Sequence, residues 1–339
     1  MSRRWSKEHW KPLGNSQELV DYESIWGDTG PMRPIGLLYD HLTPNFGDCA
    51  IGTVLMETLV AAGLPHEVVR TCSLIDSRFS ALIVGAGHCL RVPGDPNYDR
   101  FRVPGRHVLN AVGISREAGS LEFLADYRYV SVRSSADYER VSAIRPDAAI
   151  VPCPSLLLEG THKPELPVED RTILIHMPPS CSGFVPRWPE AVEEAFPDYH
   201  KALLSLNRFN NDQEYLYDIA FYKRWQLIPG LTPTEIDGLL GHPNVHGLLS
   251  ASLHATMFAY KHAKPFLALT QVEKIRSFVN DRGLSDRSWT HQMDPRAMRN
   301  ALGPMVRNTR LESLWELDKV LLKSHMNRLV SECCAAVEE

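Results

Sequence analysis

The sequence predicts an α/β protein built as two halves in series, each a parallel sheet covered by helices. Three observations carry this. Short apolar runs alternate with helix-patterned segments along the chain. A polar stretch, residues 158–170, then interrupts the alternation with two prolines. The same alternation restarts at Arg171. A length of 339 residues also fits two domains at about 150 residues each. The expected division is residues 1–157 with an N-terminal arm, residues 171–310, and a closing helix over residues 311–339.

The first 30 or so residues mix Trp, charge and Gly without a period and read as an arm packed on the body or partly loose. IGLLYD from Ile35 reads as a buried strand. Asp48–Gly63 reads as a helix, with Asp48 capping its start and Gly63 ending it. EVVR, ALIVG, HVLNAVG, YVSVR and AAIVP are further strand-like runs, and SLEFLADY and SSADYERVSAI lie between them as helices. In the second half RTILIHM, WQLIP, VHGLL and PFLAL read as strands. PEAVEEAF, KALLSLNRF, TPTEIDGLLG, SASLHATMFAYKHA and VEKIRSFVNDRG read as helices. The C-terminal LESLWELDKVLLKSHMNRLVSECCAAVEE spaces its apolar residues at three to four and predicts one long amphipathic helix, able to cross back onto the first half. No internal repeat is visible, and a cleft between the halves is the expected ligand site.

Composition narrows the function classes. With 44% hydrophobic and 23% charged residues the chain buries sizeable cores, which excludes disorder as its main state. Its 36 Lys+Arg against 41 Asp+Glu give a formal charge of −5 without blocks of like charge, so no basic face for nucleic acid is expected. No apolar run approaches the roughly 20 residues of a membrane span, and MSRRWSKEHW lacks the apolar run of a secretory signal. The seven cysteines are scattered, with no C-x-x-C and no zinc-ligand spacing. Reduced, packed thiols in a soluble cytoplasmic protein, with no metal and no cofactor, are the expectation.

Four places can carry chemistry. Asn45-Phe46-Gly47-Asp48 lies between the first strand and its helix, the corner of such a sheet where ligands bind. Gly47 there admits a close approach and the helix start favours an anion; a plain polar cap is the equal alternative. Gly85 and Gly87 form a Gly-x-Gly turn before His88 and Arg91. Leu90 stands where a dinucleotide loop has its third glycine, so NAD binding is rejected. The turn either brings backbone N–H groups, His88 and Arg91 to the cleft or simply ends a strand. Arg133 closes YVSVR and either points into the cleft mouth or forms a surface ion pair. Ser252-Leu253-His254 opens a helix that Ser250 or Ser252 can cap. His254 there meets the positive helix end, which lowers its pKa unless an anion is bound; a structural His is the alternative. Lys274 and Arg276 follow the strand PFLAL on the cleft side, or lie on a solvated helix face. Together these groups describe a positive cleft suited to a small polyanion such as a phosphorylated donor.

In order and spacing, Asn45-Phe46-Gly47-Asp48, Gly85-Ala86-Gly87, Val130-Ser131-Val132-Arg133, Ser252-Leu253-His254, Ala263-Lys264-Pro265 and Lys274 resemble the motifs of the polysaccharide pyruvyl transferases, from about Ile35 to Gly283. The resemblance implies two Rossmann-like halves in a GT-B-like arrangement with the site between them. It implies transfer of a pyruvyl group from phosphoenolpyruvate to a sugar or glycan hydroxyl. It assigns donor binding to Arg133 and His254, and it matches Lys274 to the family's lysine after the last strand. His254 is then also the candidate acid or base, with His88 and His107 as weaker ones. Asn45, Gly47, Asp48, Gly85, Gly87, His88, Ser252, Leu253 and Lys274 complete the expected substrate-binding set, with no metal ligand. This chain departs from the family at Ser252, Ala86 and Cys153-Pro154, where members often carry Arg, Gly and Asp-Pro. Two other readings are a GT-B-type glycosyltransferase using a nucleotide sugar, and a non-catalytic member that binds a glycan or a partner.

Overall fold

The computed structural model describes residues 33–41, 45–69, 78–85, 87–160, 168–206, 211–303 and 308–339. The expected N-terminal arm, Ala86 and most of the linker lie outside the described residues. In the first half the order is β1 (Ile35–Leu38), α1 (Phe46–Ala61), β2 (His66–Val68), β3 (Leu82–Val84), α2 (Pro96–Asp99), β4 (Val108–Val112), β5 (Tyr129–Val132), α3 (Ser135–Val141) and β6 (Ala149–Ile150). The second half runs β7 (Thr172–His176), α4 (Pro179–Ser182), α5 (Trp188–Ala195), β8 (His200–Leu204), α6 (Asp212–Lys223), β9 (Gln226–Ile228), α7 (Pro233–Gly241), β10 (Val245–Ser250), α8 (Leu253–Lys261), β11 (Phe266–Ala268), α9 (Glu273–Asp281) and α10 (Pro295–Leu302). Helix α11 (Thr309–Glu338) closes the chain.

Both sheets are parallel throughout, in the orders β2-β1-β3-β4-β5-β6 and β11-β10-β7-β8-β9. Two Rossmann-like halves in a GT-B-like arrangement are therefore what the chain forms. In each sheet the strand order reverses once, between β1 and β3 and between β7 and β10. A crevice opens beyond the carboxyl ends of the strands at such a reversal, because the helices that follow depart to opposite faces. The sequence Asn45–Asp48 follows β1, Gly87-His88 follows β3, and Ser252–His254 follows β10.

Two helix expectations fail. KALLSLNRF contributes a strand, β8, with Lys201 to Leu204 buried. A central parallel strand is covered on both faces, so its apolar run has no period-two alternation and is indistinguishable from a short helix in sequence. SLEFLADY forms only one 3-10 turn, Glu122–Leu124. Helices α6 and α10 have no counterpart in the sequence reading. The apolar stripe of α6 is blurred because Tyr217, Phe221 and Tyr222 are exposed while Leu216 and Ala220 are buried.

The largest core cluster runs without a break from Leu37 and Phe46 in the first half to Leu174 and Phe258 in the second. Helix α11 adds polar ties to both. Asp318 accepts from the Tyr260 hydroxyl at 2.9 Å in the second half. His325 donates from Nε2 to Asn110 Oδ1 at 2.9 Å and accepts at Nδ1 from the Tyr129 hydroxyl at 3.0 Å in the first. Glu339 pairs with Arg106 and Arg128. Among the described residues no helix is long and apolar enough to cross a membrane. Tyr129→Phe should leave a buried imidazole nitrogen without its donor and cost about 1–3 kcal/mol. Urea denaturation of the two proteins reads this; an unchanged midpoint would remove the His325 relay from the account of how α11 is held.

Candidate functional site

The two crevices face one another across a cavity of about 310 Å³ lined from both halves. Asn45 and Asp48 enter it from the start of α1, Gly87, His88 and Arg91 from the turn after β3, and Arg133 from the end of β5. The opposite wall carries His176, Ser252, His254 and Lys274. Of the sequence-derived set, Gly47, Gly85 and Leu253 do not line the cavity. Leu253 is core, 2% exposed. Gly85, at φ +113°, lets the chain turn where a Cβ would strike Val112. Gly47 acts one step back, since a Cβ there would collide with the His254 ring.

Local structure fixes each group. Asn45 caps α1 by accepting from the Gly47 N–H at 3.1 Å, and Ser252 caps α8 by accepting from the Ala255 N–H at 3.4 Å. Both N-caps line the cavity, so two helix starts bring partial positive charge to one space. Phe46 stacks edge-on against His254 and Phe258, at 5.8 and 5.9 Å between ring centres, which seats α1 on α8. Glu273 pairs with Arg116 at 2.8 Å and Arg140 at 3.2 Å, and Asp281 accepts from the Ser135 N–H at 3.0 Å. These links dock α9 on the first half and set Lys274 beside the Arg133 wall.

Arg133 donates from Nη2 to His88 Nδ1 at 2.9 Å and lies 3.8 Å from Asp137, its guanidinium close against Gly113. His88 is therefore an acceptor. Burial first, and Arg133 and Arg91 next, push its pKa down to about 2. That shift leaves the ring uncharged near neutrality. His107 accepts at Nδ1 from the Leu82 N–H at 3.3 Å, a structural role outside the cavity. His254 is 6% exposed, with Nε2 3.8 Å from Cys153 Sγ. Burial, then Lys274 and Arg133, lower it to about 3, so the free site holds a neutral imidazole. Burial and Arg133 bring Lys274 down to about 8, with Asp48 opposing. Asp48, 7% exposed, is pushed up to about 7 by burial and by Asp40, against Lys274, Arg133 and Arg91.

Sequence reasoning passed over Asp40, Tyr98, Cys181 and His176, all of which line the cavity. His176 ends β7, the first strand of its half, and that position was a usable signal. Its Nε2 meets Asp212 Oδ2 at 3.2 Å with both side chains buried, and its Nδ1 has no hydrogen-bond partner among the described residues. The Asp212 partner sits on α6, an element the sequence reading lacked.

No protein-family model and no curated sequence matches the chain. Solved structures do. Os79 from O. sativa, in complex with U2F and trichothecene, aligns with a TM-score of 0.54 at 12% identity, covering 89% of this chain and 100% of that one. A UDP-glucosyltransferase from Polygonum tinctorium gives 0.52 at 10% identity, covering 92% and 100%. The UDP-GlcNAc 2-epimerase of Methanocaldococcus jannaschii, in complex with UDP-GlcNAc and UDP, gives 0.51 at 11% identity, covering 86% and 99%. At these identities the likeness is one of fold.

Two substitutions check the geometry. Gly47→Ala should drive the His254 ring off its seat and destabilise the protein by about 1–3 kcal/mol, visible as a lower Tm. A Tm equal to that of the parent would mean that the α1–α8 contact yields freely. Asp48→Asn should act with the opposite sign. The folded state holds the Asp48 proton more tightly than the unfolded chain, so Asp48 costs stability as pH rises from 3.8 through about 7. The Asn variant should thus gain a few kcal/mol over the parent at pH 8 and little below pH 4, in paired denaturation curves.

Proposed function

We propose that this protein is a group-transfer enzyme that takes a small phosphorylated donor in the interdomain cleft and delivers the transferred group to a sugar or glycan hydroxyl. One observation carries the reading: Arg91, Arg133 and Lys274 converge with two helix starts on a cavity of about 310 Å³ between the halves. A phosphate and a carboxylate together need such a set of charge-assisted donors.

Phosphoenolpyruvate is the donor these dimensions favour. Arg133 and Lys274 provide cations from opposite walls, and the α8 start with Ser252 and His254 provides neutral donors for phosphate oxygens. The motif resemblance supports the same donor. A neutral His254 fits a phosphate-holding role, since a bound anion adds a favourable partner without first requiring protonation of a buried ring.

A nucleotide sugar is the second reading, favoured by the fold shared with the UDP-glucosyltransferase and the UDP-GlcNAc epimerase. Against it, Tyr98 is the one Phe, Tyr or Trp among the described residues lining the cavity, and the Arg91 guanidinium lies 3.9 Å from its ring centre. A nucleobase would find few other aromatic faces there.

A thermal-shift comparison of phosphoenolpyruvate with UDP-glucose and UDP-GlcNAc separates the readings. Phosphoenolpyruvate should raise the Tm, and Arg133→Ala should weaken its binding about 10- to 150-fold, the equivalent of a charge-assisted bond of about 1.5–3 kcal/mol. Stabilisation by the UDP sugars alone would transfer the assignment to the nucleotide-sugar reading. Stabilisation by neither would favour a non-catalytic binding protein.

A further inference from the structure

We propose that Asp48 is the catalytic acid of this site, the group that gives a proton to the methylene carbon of the donor's enol. The inference rests on the phosphoenolpyruvate reading and adds the proton source that such a donor requires.

Transfer from an enol phosphate begins at carbon. A proton must reach C3 before C2 becomes electrophilic enough for a hydroxyl to attack. The familiar candidates in the cleft are poorly suited. His88 accepts from Arg133, and His254 is enclosed by Gly47, Phe46 and Cys153 as a neutral ring. Arg91 and Arg133 are permanent cations. Lys274 is a cation that the donor's own charges reinforce.

Asp48 differs in placement. It stands in the first turn of α1, with one carboxylate oxygen packed where a Cβ on Gly87 would be, and it lines the cavity. Gly87 has φ +67°, so the turn after β3 both bends there and leaves room for this carboxyl. The carboxylate makes no hydrogen bond among the described residues. The charged groups that act on it are Asp40 beyond β1, Arg91 beyond β3, Arg133 beyond β5 and Lys274 on α9. The titratable Cys49 beside it on α1 and Cys153 beyond β6 also couple to it. The second carboxylate and burial outweigh the cations, and half-protonation near pH 7 follows. Donor anions beside it favour the neutral acid further.

The step balances with the chain's own groups. The Asp48 O–H bond breaks and a C3–H bond forms from the electron pair of the C2=C3 double bond. Positive charge at C2 is shared with the oxygen that bridges C2 to phosphorus. A sugar hydroxyl oxygen bonds to C2, and its proton returns to the Asp48 carboxylate. Attack by a second hydroxyl then breaks the C2–O bond to phosphate, which departs with the electron pair and takes up that hydroxyl's proton. A ketal and inorganic phosphate result.

The test needs no acceptor. The full-length protein is incubated with phosphoenolpyruvate in D₂O and the vinyl protons are followed by proton NMR, while calorimetry measures binding. The parent should exchange deuterium into C3, faster below pH 7 than above it. Asp48→Asn should bind phosphoenolpyruvate at least as tightly yet exchange about 10²–10⁴-fold more slowly, and Asp48→Glu should recover part of the rate. Binding without exchange in the parent, or undiminished exchange in a folded Asp48→Asn, overturns the assignment and leaves the donor reading standing. Absence of phosphoenolpyruvate binding to the parent overturns the donor reading itself. If Asp48→Asn fails to fold, the Asp48→Glu rate and the parent's pH dependence decide: a parent rate flat from pH 5 to 9 overturns the proposal.

Discussion

The contact between the first turns of α1 and α8 holds the rest of the site in place. Phe46 packs edge-on to both His254 and Phe258, and the bare Cα of Gly47 lets the imidazole come against the helix backbone. Each helix leaves its sheet at the reversal of strand order, so one close contact aligns both crevices and points two helix starts into one cavity. The Glu273 bridges to Arg116 and Arg140 and the Asp281–Ser135 bond then position α9. Several of these linking groups are partly exposed and individually worth little, but the apolar core beneath them is continuous between the halves. The polar links choose the register of a docking that hydrophobic burial drives.

This arrangement leaves the free cleft electrostatically unsatisfied. Burial and crowding act on four ionisable groups in the same sense, toward loss of charge: His88 and His254 downward, Lys274 downward and Asp48 upward. The Arg133 guanidinium, a permanent cation, has His88 as acceptor and Asp137 nearby. A dianionic ligand would reverse the penalty on the cations and deepen that on Asp48. The cleft thus exchanges stability for a preference about what enters it, the common pattern at sites whose groups are displaced from their ordinary pKa values.

Much of this was legible in the sequence because the relevant signals are local. Short apolar runs ending in Gly, Asn or Ser marked the strand-to-helix corners, and those corners are where the cavity lies. Asn45, Asp48, Gly87, His88, Arg133, Ser252, His254 and Lys274 all reach it. What escaped depends on tertiary context. The buried strand β8 has no alternation to reveal it, and the apolar residues of α6 divide between core and solvent. Missing α6 meant missing Asp212, and with it the reason to notice His176. Leu253 belonged to a motif by adjacency alone; its side chain points to the core, since neighbours on a helix face in different directions.

The chemical identity of the neighbour to His254 has a consequence for how protons are handled in this cleft. Cys153 reaches His254 Nε2 at 3.8 Å, itself accepting from the Ser155 hydroxyl at 3.3 Å, and burial raises its thiol pKa. A carboxylate at that position would favour an imidazolium by direct charge attraction. A neutral thiol gives no such stabilisation, while Lys274 and Arg133 oppose a third cation. The imidazole is thereby held neutral, while Asp48 at the start of α1 and Lys274 on α9 are brought toward neutrality from opposite sides, to about 7 and about 8. The same buried interface that joins the two halves thus sets a neutral imidazole at the start of α8 and, at the start of α1, a carboxyl whose pKa is pushed up to about 7.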